Sequence, residues 1–346
     1  MTKNTTNTTP IEVYSLAEAE DAALASDNTQ PLSQGQLIRR RFFHHRGAMI
    51  SIIVLALITI LAFSSVGFAG IPGWWGLSYL DAATVVNGGR PTLSLVPEWL
   101  GGAGIIWGEH PFGQDSSGKD YFALVMSGTQ KSLIIGVVVG VVATVIGSIV
   151  GAAAGYWGGW VDSILMRTTD LFIVIPLLAL AAVLGKIAGQ ASSSIILLAV
   201  VLGLLTWTGL ARLVRGEVLS LREREFVSAA QSMGAGPGRI IFKHLLPNAI
   251  GVIVVNATFA IAGAILLESS LSFLGFGVQP PESSLGLLIS QYQNAFTSRP
   301  WLFWWPGMLI LVIALSVNFI GDGLRDAFDP RQTRNARRLL KARKNA

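Results

Sequence analysis

The sequence predicts an all-α polytopic membrane protein with six transmembrane helices and both termini in the cytoplasm. Composition comes first: of 346 residues, 51% are hydrophobic and only 13% charged, about half the charge of an average soluble domain. Mean hydropathy is +0.57. The second observation is a set of six apolar runs long enough to cross a hydrocarbon core of about 30 Å. The third is the placement of Lys and Arg, which gather in alternate connections between those runs. The net charge of +5 says less than that distribution. There are no cysteines, so neither a disulfide framework nor thiolate chemistry exists, and the four histidines have no metal-ligand spacing.

Residues 1–35 are polar, rich in Thr, Asn, Ala and acidic side chains, and lack periodicity. They hold too little apolar surface to offset ordering entropy, so a disordered cytoplasmic tail is expected. Segment 36–70 opens with the basic, aromatic cluster Arg39-Arg40-Arg41-Phe42-Phe43-His44-His45-Arg46 and continues as an uncharged run from about 47 to 70. That run is too long and too distant from the start for a signal-peptide core, although Gly67-Phe68-Ala69 imitates a cleavage site. An uncleaved first span is expected.

Residues 71–128 are expected to form an extracytoplasmic loop. Trp74, Trp75, Pro91, Pro97, Trp99 and Trp107 alternate with glycines there, and Arg90 and Lys119 face a larger number of acids. A membrane core of five helices should occupy 129–325. The second span, about 132–156, carries Gly136, Gly140, Ala143, Gly147, Gly151 and Gly155 at spacings of three and four, a stripe for close helix contact. The third, about 164–185, contains Pro176 as an expected kink. The fourth runs over about 193–213, the fifth over 249–274 and the last over 303–320, with 326–346 a basic cytoplasmic tail. Segment 212–243 carries Arg212, Arg215, Arg222, Arg224, Arg239 and Lys243. The positive-inside rule therefore puts it, with both termini, in the cytoplasm.

Within that segment, 219–248 has a pattern of its own. Phe226, Ala229, Ala230 and Met233 recur at helical spacing as an apolar stripe, with Arg224, Glu225, Ser228, Gln231 and Ser232 off it. Gly234 stands where a helix ends, Gly236-Pro237-Gly238 turns the chain, and a second short helical run is stopped near Pro247. An amphipathic helix on a loop between spans suits a grip by another protein. The alternative is a solvated connection.

No enzymatic motif is present. Gly118-Lys119 and Gly185-Lys186 lack the following Ser or Thr and the preceding glycine loop of a phosphate-binding site, so the chain is not expected to hydrolyse ATP itself. Ionisable residues at membrane depth are costly. Arg167 and Asp170, three apart, are expected to pair on one helix face, and Lys186 to snorkel outward. Asp322, Arg325 and Asp326 are expected to pair locally or with a partner. Glu268, in the outer half of the fifth span, has two readings: it lines the translocation path or gate, or it binds backbone and serine groups where the helix breaks.

At 219–248 the sequence resembles the inner-membrane permease subunits of bacterial ABC importers. Their cytoplasmic signature is Glu-Ala-Ala, three residues, Gly, nine residues, then Ile-x-Leu-Pro. Ser228-Ala229-Ala230, Gly234 and Leu246-Pro247 fall at that spacing, with Ser228 in place of the acid and His244 in place of Ile. His-x-Leu-Pro-Asn is typical of the dipeptide/oligopeptide subgroup. The family's other segments are matched in order by His110-Pro111-Phe112-Gly113-Gln114-Asp115-Ser116-Ser117-Gly118-Lys119-Asp120, by Ala154–Asp162, by Ala211–Gly216, by Ser272–Pro281 and by Gly321–Asp326.

The resemblance, closest to the C-type permease of a dipeptide/oligopeptide importer, implies a type I ABC importer permease fold in the bacterial plasma membrane. It implies three kinds of partner besides lipid: a homologous permease, two cytoplasmic ATP-binding subunits and an extracytoplasmic peptide-binding protein. No nucleic acid is expected. ATP and Mg would sit on the ATPases, with no cofactor on this chain. The ATPase-coupling residues it implies are Glu225, Phe226, Ser228, Ala229, Ala230, Met233, Gly234 and Pro247. Alternatives are a nickel or other small-solute permease of the same family, an autonomous secondary transporter, for which neither coupling-ion ligands nor inverted repeats are found, and a scaffold, which would tolerate changes at Gly234 and Pro247.

Overall fold

The structure, a computed structural model, describes residues 34–94, 104, 106–191 and 195–328. The tail expected over 1–35 falls almost wholly outside the described residues, as does the basic tail beyond 328. The architecture is helical. Helix α1 (Gln34–His44) precedes α2 (Arg46–Ser65), and a two-stranded hairpin of β1 (Gly67–Phe68) and β2 (Ile71–Pro72) comes after it. Next come α3 (Tyr121–Trp157), α4 (Gly159–Val174), α5 (Leu177–Ala191), α6 (Ile195–Thr206), α7 (Thr208–Arg222) and α8 (Glu225–Ser232). Short helical turns over 237–248 lead into α9 (Ile250–Phe273), α10 (Leu285–Tyr292) and α11 (Trp301–Phe328).

Four helices, α2, α3, α9 and α11, are each long and apolar enough to cross a membrane. Two further pairs meet the same test but are bent: α4 with α5 by 86° and α6 with α7 by 46°. Pro176 thus breaks its helix outright where a kink was expected. Ile175 is extended ahead of it, as a residue before proline prefers. The second bend, at Trp207, has no proline to announce it.

Helix α3 is the spine. Its small-residue stripe does what the spacing predicts. A Cβ on Gly136 or Gly140 would lie 2.7 or 2.4 Å from Ile265 or Ile261 of α9, and one on Gly151 would lie 2.4 Å from the Ala211 carbonyl of α7. Glycine makes room for the isoleucine side chains of α9 and lets the backbone of α7 come into contact.

The loop ends earlier than 128, because α3 begins at Tyr121. Asp120 caps it, accepting from the Ala123 amide at 2.9 Å while its carboxylate also takes His110 Nδ1 and Trp75 Nε1, each at 2.8 Å. Asp115 accepts the amides of Ser117 and Lys119, both at 2.8 Å, and the Tyr292 hydroxyl at 2.9 Å. Burial and the Asp115 carboxylate push the Tyr292 phenol well above its usual range, so it stays a donor. The Tyr121 hydroxyl donates to the Leu302 carbonyl, and Phe112 stacks on Trp305 at 3.9 Å. These bonds pin the loop before α3 to α3, α10 and α11.

Candidate functional site

Helix α8 is eight residues long and hangs between α7 and the turns that lead to α9. Arg224 is extended at its start, and Glu225 puts a carboxylate in the first turn, where the helix dipole favours it. Its end is a two-bond cap: the Ala235 amide donates to Ala230 at 3.0 Å and the Gly234 amide to Gln231 at 2.9 Å. Gly234 supplies the left-handed backbone this cap requires, with φ +79°. The site for a helix stop read from the sequence is therefore the observed one.

The two faces of α8 differ. Val227 and Ala230, three apart, are both buried, and Val227 packs in a cluster with Leu210, Val214, Val218, Ile240, Ile241, Leu245, Ala249 and Ile253. Phe226 is 39% exposed and Met233 81%, with Glu225, Ser228, Ala229 and Gly234 also exposed. The stripe read from the sequence needs one correction. Ala230 belongs to the inward face, where Val227 is its missing companion, and the outward face is Phe226, Ala229 and Met233. With only eight residues, two apolar stripes one residue apart both fit helical spacing, and only packing tells them apart. Phe242, 64% exposed on the turns after α8, was also missed.

The mounting is stiff. Arg222, just before α8, donates from Nη1 to the Tyr156 carbonyl at 3.1 Å at the end of α3. Beyond Gly236, a π turn over Ile241–Leu245 precedes Pro247, whose missing amide donor suits the widened turn. Pro247 is therefore a joint inside a nearly continuous helical run, rather than a stop. It is exposed and, with Asn248, borders a cleft of about 700 Å³ walled by Ile38, Glu217, Val252, Asn256, Arg325 and Phe328 among others.

The charged residues at membrane depth arrange otherwise than their spacing implied. Asp170 pairs with Arg212 at 2.5 Å, not with Arg167, and Arg215 grips Asp162 with two bonds of 2.5 and 2.6 Å. Both pairs tie α4 to α7. Lys186 is exposed, as snorkelling requires. Asp326 finds His45 at 3.5 Å. Glu268 is fully buried. It accepts from Ser272 at 2.7 Å and Ser132 at 3.3 Å, while Ser272 accepts from the Val278 amide at 3.1 Å and Ser284 caps α10. The carboxylate is clasped by serine hydroxyls from α3 and α9, as the second reading has it, but inside α9 rather than at a break in it. Among the described residues no cluster of His, Asp and Glu is suited to a metal ion.

A profile of the family described as binding-protein-dependent transport system inner membrane component matches residues 143–334, more than half of the chain. The chain belongs to that family. A second profile, the N-terminal transmembrane domain of oligopeptide transport permease C, matches 33–71. The chain is 41% identical over 293 residues to the oligopeptide transport system permease protein OppC of Escherichia coli K12, covering 85% of this chain and 90% of that one. It is 38% identical over 302 residues to the OppC protein of Mycobacterium tuberculosis, covering 87% and 96%. A peptide permease protein of Brucella ovis is 39% identical over 309 residues, covering 88% and 94%. This inner membrane component is thus a multi-pass transport permease, and its family is one of membrane subunits rather than nucleotide hydrolases.

Proposed function

We propose that this chain is the C-type permease subunit of an ABC importer that carries di- and oligopeptides into the cell. It crosses the membrane six times, each bent pair counting as one span, with both termini in the cytoplasm. Its partners are a homologous permease, two cytoplasmic ATP-binding subunits that hold ATP and Mg, and an extracytoplasmic peptide-binding protein. The peptide substrate rests on the OppC relatives.

The observation that carries the mechanism is the division of α8 into a buried and a bare face. Phe226, Ala229 and Met233 present an apolar patch to an ATPase, with Glu225 and Ser228 at its edge and Phe242 beyond it. Burying Phe226 and Met233 contributes about 2 kcal/mol each before the costs of association, comparable to the roughly 1–3 kcal/mol typical of coupling between sites. A push on that patch reaches the buried Val227 and Ala230 directly, and through the cluster around Val227 reaches α3, α7 and α9. Closure of the ATPases on ATP then shifts the assembly between inward- and outward-open states by differential affinity. Gly234 fixes the end of this lever, and Pro247 marks the joint between it and α9.

The test is peptide uptake into proteoliposomes holding the complete complex. Ala229→Arg is expected to abolish ATP-driven uptake with normal membrane yield, because the residue is exposed and its change spares the fold. Parent-like uptake by this variant would overturn the coupling role. ATP hydrolysis by the chain alone would overturn the division of labour.

A further inference from the structure

Helix α1 has no role in the coupling mechanism, yet its two faces are sharply distinguished. Ile38, Arg41, Phe42 and His45, at i, i+3, i+4 and i+7, form the less exposed side, turned toward α11. Gln36, Arg39, Arg40 and Phe43 repeat the same spacing on the opposite side and are all exposed, Phe43 at 57%. Leu37 and His44 flank them, also exposed. From Gln34 to Arg46 there are four arginines, two histidines and no acid. A neutral or positive protein surface has no use for such a face.

The depth of this helix is fixed by the span that begins beyond it. His45, with φ −78° and ψ 98°, breaks the helical path, and its Nδ1 accepts the Ala48 amide at 3.0 Å to start α2. That span exposes Ile50, Ile53, Leu57 and Ile60, one apolar stripe beginning about two turns beyond Phe43. The basic face of α1 therefore sits where a hydrocarbon-facing stripe ends, at headgroup level. Arginines there reach phosphates while an aromatic ring lies at the acyl boundary. We propose that Arg39 and Arg40 bind anionic phospholipid headgroups, with Phe43 seated among the chains. Because Ile38 lines the same cleft as Pro247 and Asn248, lipid bound to α1 steadies the wall facing the end of the coupling stretch.

The chain has no cysteine, so a single one can be introduced and labelled. Leu37→Cys, carrying a fluorophore, is placed in nanodiscs of phosphatidylcholine with a minor share of spin-labelled phosphatidylglycerol or, in a parallel sample, spin-labelled phosphatidylcholine. Quenching by the anionic probe is expected to exceed that by the neutral one several-fold. Arg39→Gln with Arg40→Gln is expected to remove the difference, and Arg39→Lys with Arg40→Lys to keep it, which separates charge from any fault in folding. Equal quenching by the two probes in the parent chain would overturn the proposal. So would a preference that survives the glutamine pair. A label quenched by neither probe, but shielded when partner subunits are added, would mean that an acidic protein surface occupies this face instead.

Discussion

Replacing Glu268 by alanine would leave the Ser132 and Ser272 hydroxyls without their acceptor and open a void in a fully buried site. Lost hydrogen bonds and a cavity of that kind together cost about 2–4 kcal/mol. Glu268→Gln keeps the volume and offers a carbonyl oxygen to rotatable hydroxyls, so it should cost much less. Thermal unfolding of the purified complex checks this: a clear drop for the alanine variant and a small one for glutamine. An alanine variant that melts with the parent but transports a changed range of peptides would instead place Glu268 on the path. The same contrast applies within α8, where Ala229 and Ala230 are neighbours with opposite duties. On the proposed coupling role a charge at the exposed Ala229 would strike a partner contact, whereas a charge at Ala230 strikes the chain's own buried interior.

At the level of elements, the α3 stripe makes the sharpest prediction. Gly151→Leu must push α3 away from α7, since even a Cβ there meets the Ala211 carbonyl at 2.4 Å and Val214 at 2.8 Å. Gly263→Leu in α9 meets open space. The first is expected to lower the unfolding temperature and membrane yield, and the second to leave both unchanged; equal behaviour would remove the packing role. This stripe was legible in the sequence because small residues at three- and four-residue spacing have one dominant use in a membrane. The start of α3 was not. Gln130 and Lys131 look like the edge of a span, but Gln130 donates to the carbonyls of Ala62 and Gly67, and Lys131 pairs with Glu282 at 2.5 Å. Their partners lie far away in sequence and cancel the cost of polarity. The Asp170 pair was misassigned for the same reason: Arg212 is 42 residues away, nearer in space than Arg167 on the same helix. The break at Trp207 lies inside an apolar run with no proline to mark it, and the helix over 34–44 has no long apolar run, so hydropathy passes over both.

For the whole molecule, the lever works only if α8 and the outer loop lie on opposite sides of the membrane. Six basic residues crowd 212–243, while the long loop ending at Asp120 has Arg90 and Lys119 alone. Moving basic groups outward against the membrane potential is opposed, so the proposed sidedness puts 212–243 in the cytoplasm. On the six crossings proposed, α3 runs inward from the loop before it toward Trp157, and α11 from Trp301 to Asp326, beside His45 at the start of α2. The absence of native cysteines again provides the measurement. Ser232→Cys, exposed at the end of α8, and Ser298→Cys, exposed just before α11, should react oppositely with a membrane-impermeant maleimide. Spheroplasts are expected to label Ser298→Cys at once and Ser232→Cys only after permeabilisation. The reverse order would put the bare face of α8 outside the cell, beyond the reach of any ATP-binding subunit, and the lever would have nothing to push it.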